Sequence, residues 1–469
     1  LTITGTTTLA AGAANDITLD NANNFGGAVS ITSADDVVLN DTGAIALGAA
    51  QISGSLAATA NGTITQTGAL NVAGTTALAA GAANAITLPE LNTFGGAVSI
   101  ASGRDVTIRA NGGIDLGDST VSGNLSVTAI AGITDSGNIA VTGAAFLSSG
   151  CESMTLGDSS LLSLGGPVTL VSNRDISLNV SGDLDLVTAG VGGNLALTAS
   201  GNLSSSGAVT VAGNSSLAVA SDKTITLTQA NDFTGPVSLS GLDASLNDTS
   251  GLELGTVALG GNLSITANGS ITDAGNVGVV GTTTLAATGN AITLDSPGND
   301  FGTVNTTGGA VTLVDADGLT LGDTTAAGLS VTANGTIAQA AGSTINVTGT
   351  TTLAAGSGNS ITLTEATNDF GTVNGSVSSS GVITLRDANG IILGNLTAQA
   401  SQGLNVTTNG SITQAAGSAI VVFGSRFDST GYDITLDGSG NDFQSNIDTI
   451  ATGANVTLID SNALYLGNT

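Results

Sequence analysis

The chain has no histidine, no tryptophan, one cysteine, four prolines and six basic residues among 469. Without histidine, neutral-pH proton transfer and metal ligation lose their commonest side chain. The lone thiol, Cys151, cannot close an intramolecular disulfide; lying beside Met154 in the most divergent stretch, it is expected to be a buried small hydrophobe. Six cations against 35 acidic residues, a net charge of −29, provide no basic stripe for nucleic acid or anionic lipid. That charge suits solubility and, as a sharper alternative, diffuse binding of divalent cations or attraction to a cationic surface. No run of about 18 apolar residues occurs, so no membrane span is expected. No signal peptide is visible, and the chain opens and stops within strand-like segments, LTITGTTTL and LYLGNT. It is expected to be a piece of a longer array.

What is present is small and β-branched. Apolar residues make up 41 %, aromatics only 2 % and charged residues 9 %, with 69 glycines. Neither disordered nor collagen-like composition fits. Such a chain should fold around a narrow, evenly layered core.

A long repeat dominates the pattern. GTTTL-type segments place equivalent glycines at Gly5, Gly74, Gly143, Gly213, Gly281, Gly349 and Gly424. Their spacing of about 69 residues is matched by a second series, Phe25, Phe94, Phe233, Phe301, Phe370 and Phe443, with Leu164 in the divergent third copy. Within each unit, runs such as DITL, AVSI, DVVL and SLAATA alternate apolar and polar residues with the two-residue period of strands. Asn-Gly, Asp-Gly and Gly-Gly pairs separate them as turns.

Leu9, Ile31, Leu56 and Leu78 read as equivalent inward positions that divide one super-repeat into three nearly equal coils. The expected fold is therefore all-β: a right-handed parallel β-helix (solenoid) of about 23 residues per coil, three coils per super-repeat. It forms one continuous array over residues 1–469, with super-repeats starting near 5, 74, 143, 213, 281, 349 and 424. At roughly 4.8 Å per coil, about 20 coils would make a rod on the order of 100 Å long. A β-propeller is the alternative, but the usual blade is much shorter than this period. Recurring every third coil, the phenylalanines are expected to fill one enlarged corner without stacking on each other.

The tandem GTTTLAAG, NDITL, FGGAVSI and ANGTITQ segments resemble the repeat regions of filamentous-haemagglutinin-type exoproteins secreted by the two-partner route, and are similar to CdrA-like biofilm matrix adhesins. The resemblance covers essentially the whole chain. It implies an extracellular protein at a bacterial surface or in a biofilm matrix, with exopolysaccharide or other cells' surfaces as partners. No functional residue of that family maps to a numbered position.

Three copies carry Asp-x-Asp/Asn at one place: Asp315 and Asp317, Asp387 and Asn389, Asp460 and Asn462. This resembles the opening of a calcium loop, but calcium takes six to eight oxygens, and none supplies the glutamate that closes an EF-type loop. An Asx-stabilised turn explains them equally and is the reading adopted, with no catalytic, cofactor-binding or metal site assigned. The Asn-Asp-Phe series (Asn231 to Phe233, Asn299 to Phe301, Asn368 to Phe370, Asn441 to Phe443) reads as a capped turn plugged by Phe. Threonine runs (Thr6 to Thr8, Thr282 to Thr284, Thr350 to Thr352) raise an ice-binding reading, yet they return only once per repeat. A polysaccharide lyase would need clustered acids with a basic or metal partner, and Arg104, Arg109, Arg174, Lys223, Arg386 and Arg426 are scattered. Tyr432, Tyr465 and inward Phe leave little for sugar stacking.

The sequence thus predicts a structural rod of a secreted adhesin with no enzymatic activity. The alternative is a distributed glycan-binding surface strengthened by multivalency. Uncapped end coils are expected to invite end-to-end self-association.

Overall fold

In strands such as Val106–Ala110, Val106, Ile108 and Ala110 are buried while Thr107 and Arg109 face out. Such strands cannot bury both faces alone, and their main-chain groups need partners. In the computed structural model, which describes residues 1–468, the strands find those partners in neighbouring turns of the chain, in parallel register, and strands away from the two ends are paired on both sides. Among the described residues there are strands and turns but no helix. The fold is a parallel β-solenoid of about 23 turns. The chain divides into two compact units, Leu1–Gly235 and Pro236–Thr469.

In the first unit, inward residues stack into aliphatic ladders. Val106, Leu125, Ala145 and Val168 form one, and Ile108, Val127, Leu147 and Leu170 the next, all buried. The second unit repeats the arrangement with Ile292, Val311 and Leu329, and with Leu294, Leu313, Val331 and Leu353. Each turn of the solenoid visits two columns of stacked strands that face one another across a narrow core. A methyl group built on Gly103 of one column would touch the Val106 and Ile86 side chains of the other.

The coil is shorter than the sequence spacing suggested, and this changes how the repeat is laid out. Ile17, Val37, Leu56 and Thr76 stack directly, so three turns are complete between Ile17 and Thr76, well short of a full repeat. Thr7, the counterpart of Thr76 one repeat earlier, stands in the other column, with Val29 and Leu47. In that column Ile45 carries Ile64 and then Ile86, the counterpart of Ile17. One repeat therefore makes about three and a half turns, and consecutive repeats present equivalent residues on opposite columns. The inward series Leu9, Ile31, Leu56, Leu78 holds only at its first step, because Ile31 pairs with Ala50, Leu56 with Thr76 and Leu78 with Ala58. The cause is a pair of short strands in succession, Val29–Ala34 and Val37–Asp41, where alternation elsewhere runs short then long.

Apart from Gly5, where a Cβ would meet nothing, the anchor glycines have a steric cause. A Cβ on Gly74 would lie 2.7 Å from the carbonyl oxygen of Gly54, and one on Gly143 or Gly281 would lie 2.6 Å from that of Gly123 or Gly261. Real Cβ atoms do not approach backbone so closely, so coils can touch at this corner only through glycine. Gly12, Gly81, Gly289 and Gly358 serve a different need. Their φ angles of 77 to 93° shape a protruding turn after the threonine strand.

One expectation about a single residue is corrected. Cys151 is exposed, because the divergent third repeat places it in a bend outside any strand. The triple threonines do not form an outward array: Thr7, Thr283 and Thr351 point into the core, and only their neighbours face solvent.

Candidate functional site: the bulged corner of each repeat

Once per repeat a long strand bends outward between an Ile-Thr-Leu run and the Phe series, as in Ile17–Phe25 and Ile86–Phe94. Strand register jumps there, between Leu19 and Asn23 and between Leu88 and Asn92. The bend frees main-chain groups that the next coil cannot reach, and buried side chains satisfy them.

Asn92, Asn231, Asn299, Asn368 and Asn441 are fully buried at this bend. Each Oδ1 accepts the N–H that opens a strand of the preceding coil, as from Leu70 at 2.9 Å, Val277 at 2.7 Å, Ile345 at 3.0 Å and Ile420 at 2.9 Å. In three repeats a glutamine of the GTITQ segment completes the pair. Gln339 Nε2 donates to Asn368 Oδ1 at 2.6 Å while Asn368 Nδ2 donates back to Gln339 Oε1 at 2.8 Å. Gln414 and Asn441 do the same at 2.7 and 2.9 Å, and Gln66 pairs with Asn92. In the fifth repeat the Asp273 carboxylate takes the glutamine's place, accepting from Asn299 Nδ2 at 2.8 Å.

The Asp-x-Asp/Asn residues meet the same corner one turn later. Asp315 and Asp387 are buried, and each spends both carboxylate oxygens on backbone donors. Asp315 accepts from Phe301 N–H at 2.9 Å and Asp317 N–H at 3.0 Å. Asp387 accepts from Phe370 N–H at 2.8 Å and Asn389 N–H at 2.9 Å. Asp41 holds Phe25 and Gly43 in the same way, a third instance that the sequence reading missed because its turn reads Asn-Asp-Thr-Gly. Asp460 accepts from Asn462 N–H at 3.2 Å. Asn389 and Asn462 point away, donating to Asp369 and Asp442. The geometry is that of an Asx turn whose second oxygen ties down the phenylalanine. Among the described residues, no three His, Cys, Asp or Glu side chains gather in a way that could hold a metal.

Phe25, Phe233, Phe301, Phe370 and Phe443 are at most 3 % exposed. Phe94 is the exception, half-buried in the repeat whose aspartate position is occupied by Ala110. Where the carboxylate is missing, the phenylalanine backs out. It then lines a shallow groove of about 260 Å³ with Gly95, Gly113, Asp115, Thr134 and Glu152. Phe146 and Phe423 are also exposed, so outward aromatics exceed the two tyrosines expected from sequence. The cations stay dispersed: Arg104, Lys223 and Arg426 pair with Asp105, Asp222 and Asp428 at the surface.

Burial raises the Asp315 carboxyl to about 6 and also raises that of Asp387, against the pull of their backbone donors. A raised folded-state value means that the folded chain holds the proton more tightly. The associated stability is fully present below about pH 4 and is lost as pH rises through about 6. The second unit is therefore expected to melt higher at pH 4.5 than at pH 7.5, by about 2–4 °C. Calorimetry should show this difference shrink in Asp315→Asn, and an unchanged or inverted difference would contradict the assignment.

Neither the curated proteins nor the solved structures contain a match to the chain. A family model matches it in seven consecutive segments, residues 1–32, 34–101, 103–171, 173–240, 241–307, 308–376 and 380–450, with the period found in the sequence. The chain belongs to the family described as repeats of unknown function, DUF5649.

Proposed function

We propose that this repeat array is the structural stalk of a large secreted bacterial adhesin, acting in cell-cell or cell-matrix contact in a biofilm. The observation that carries this reading is the return of the same stacked arrangement, repeat after repeat, with its polar side chains spent on holding coils together. Buried polar groups are used to hold one turn on the next, and the Asn, Gln, Asp and Phe side chains that recur in most repeats are consumed in the corner. A chain organised this way is suited to distance rather than turnover. The filamentous-haemagglutinin-like phrasing of the repeats supports the same reading, with an extracellular location and no enzymatic role.

The groove beside Phe94 favours a second reading, a polar glycan contact spread along the coils. Both are tested by co-sedimentation of the full chain with exopolysaccharide purified from the source organism, in calcium and in chelator. A stalk alone stays in the supernatant in both. Binding that Phe94→Ala weakens severalfold supports the glycan contact, and binding only with calcium would return the acidic corners to the question. The adhesin reading itself fails if source cells carrying a version shortened by two repeats adhere and aggregate as the parent does.

A further inference from the structure

Six of the seven repeats contain one coil with a buried hydroxyl that finds no partner. That coil opens on the inward residue of the GTTTL segment, continues through the protruding glycine turn and closes at the bulge. The coils from Thr7 to Val29 and from Thr76 to Val98 are each longer, by that one turn, than the coils that follow, Val29 to Leu47 and Val98 to Leu116. At the inward position stand Thr7, Thr76, Ser215, Thr283, Thr351 and Ser425, flanked in the ladders by Leu56, Leu195, Leu263 or Leu329. All six hydroxyls are buried without a hydrogen-bond partner. Ala145 holds the place in the third repeat. The turn that follows closes on itself, Asn15 to Gly12 and Asn84 to Gly81, and is tied to the next coil through Gly12 N–H to the Ser33 carbonyl and Arg104 N–H to the Asn84 carbonyl, so the unpaired hydroxyl and not the turn is the weak element. A buried unpaired hydroxyl disfavours the folded state, and a small side chain shortens the aliphatic ladder at that rung.

We infer that these coils are weak rungs, so that under tension each unit of the solenoid comes apart one repeat at a time. This rests on the stalk reading, because it describes what a stalk does under load. Stability in a stacked array is a sum of nearest-neighbour terms, and a periodic weak interface sets the size of the cooperative block. The chain becomes a tether that lengthens in equal increments, and segments between weak rungs stay folded while one repeat yields.

Pulling the full chain between terminal handles in an optical trap tests this. Each step should release one repeat, about 220 Å of contour for about 69 residues at roughly 3.4 Å each, less about 17 Å of folded rise. Steps of about 60 Å, one coil at a time, would overturn the inference. So would a single step that releases a whole unit. In Thr283→Val/Thr351→Val the lifetime of the second unit's steps at fixed load should lengthen at least tenfold. The outward pair Thr284→Val/Thr352→Val should leave it unchanged, and equal effects from the two pairs would remove the buried hydroxyls as the cause. Adhesion by source cells is a separate readout: it can persist when the steps are wrong, and fail when they are right.

Discussion

Asn368→Ala is expected to lower the stability of the second unit by about 3–5 kcal/mol, far more than loss of one ordinary hydrogen bond. The side chain is fully buried and makes three hydrogen bonds to two partners. Its oxygen accepts from Ile345 N–H and from Gln339 Nε2, and its amide donates to Gln339 Oε1. Alanine leaves an orphaned backbone donor and a half-satisfied glutamine in a place water reaches poorly, and each such group carries about 1–3 kcal/mol of desolvation. Asn368→Asp separates the contributions, since a carboxylate still accepts from Ile345 but cannot donate to Gln339. Denaturation monitored by hydrogen exchange at Ile345 gives a local reading. That amide should exchange fastest in the alanine variant, and parental protection there would show that the corner is held by something else.

Much of this was legible in the sequence, and what was not has a physical cause. Parallel coils follow from alternation, glycine corners and the long period. Their phase does not, because the period counts repeats of side-chain type while the coil is set by which backbones can pair. The two short strands Val29–Ala34 and Val37–Asp41 look in sequence like any short-long alternation, yet they advance the chain by half a turn. Gly5, Gly74 and Gly143 were readable as anchors, and for Gly74 and Gly143 the structure supplies the reason in the approach of neighbouring backbones. At the corner, the Asn-Asp-Phe and Asp-x-Asn motifs were visible as separate turns. Their connection was not, since Asn368 and Asp387 act on one bend from different coils, and Gln339 lies 29 residues before its partner. A signal existed nonetheless in the divergent third repeat. There Leu162, Leu164 and Val180 stand at once where other copies have Asn, Phe and Asp.

That joint replacement makes the last prediction the sharpest. Phe370→Ala should cost the second unit about 3–5 kcal/mol, because the ring is only 2 % exposed and its removal leaves a cavity at a corner that the Asp387 bond holds closed. Asp387→Val alone should also destabilise, by about 1–3 kcal/mol, since Phe370 N–H and Asn389 N–H lose their acceptor. It should further let the ring move outward, as Phe94 does beside Ala110. In the third repeat Leu162 pairs directly with Val180 and both are buried, so an apolar pair at these positions is already present in this chain, on a longer loop that Asp135 holds through Gly157 N–H and the Ser160 hydroxyl. There Ile139 N–H finds the Leu161 carbonyl at 2.8 Å instead of an asparagine oxygen. The triple variant Asn368→Leu/Phe370→Leu/Asp387→Val should consequently lose less than half of what its single changes lose in sum. Residues that share partners couple, and replacing a satisfied polar network as a whole by hydrocarbon avoids the orphaned groups that any single change creates. Urea denaturation of the three single variants and the triple decides the point. Additive losses would mean that asparagine, phenylalanine and aspartate act independently, and the third repeat would then be a separate solution rather than the same corner rewritten.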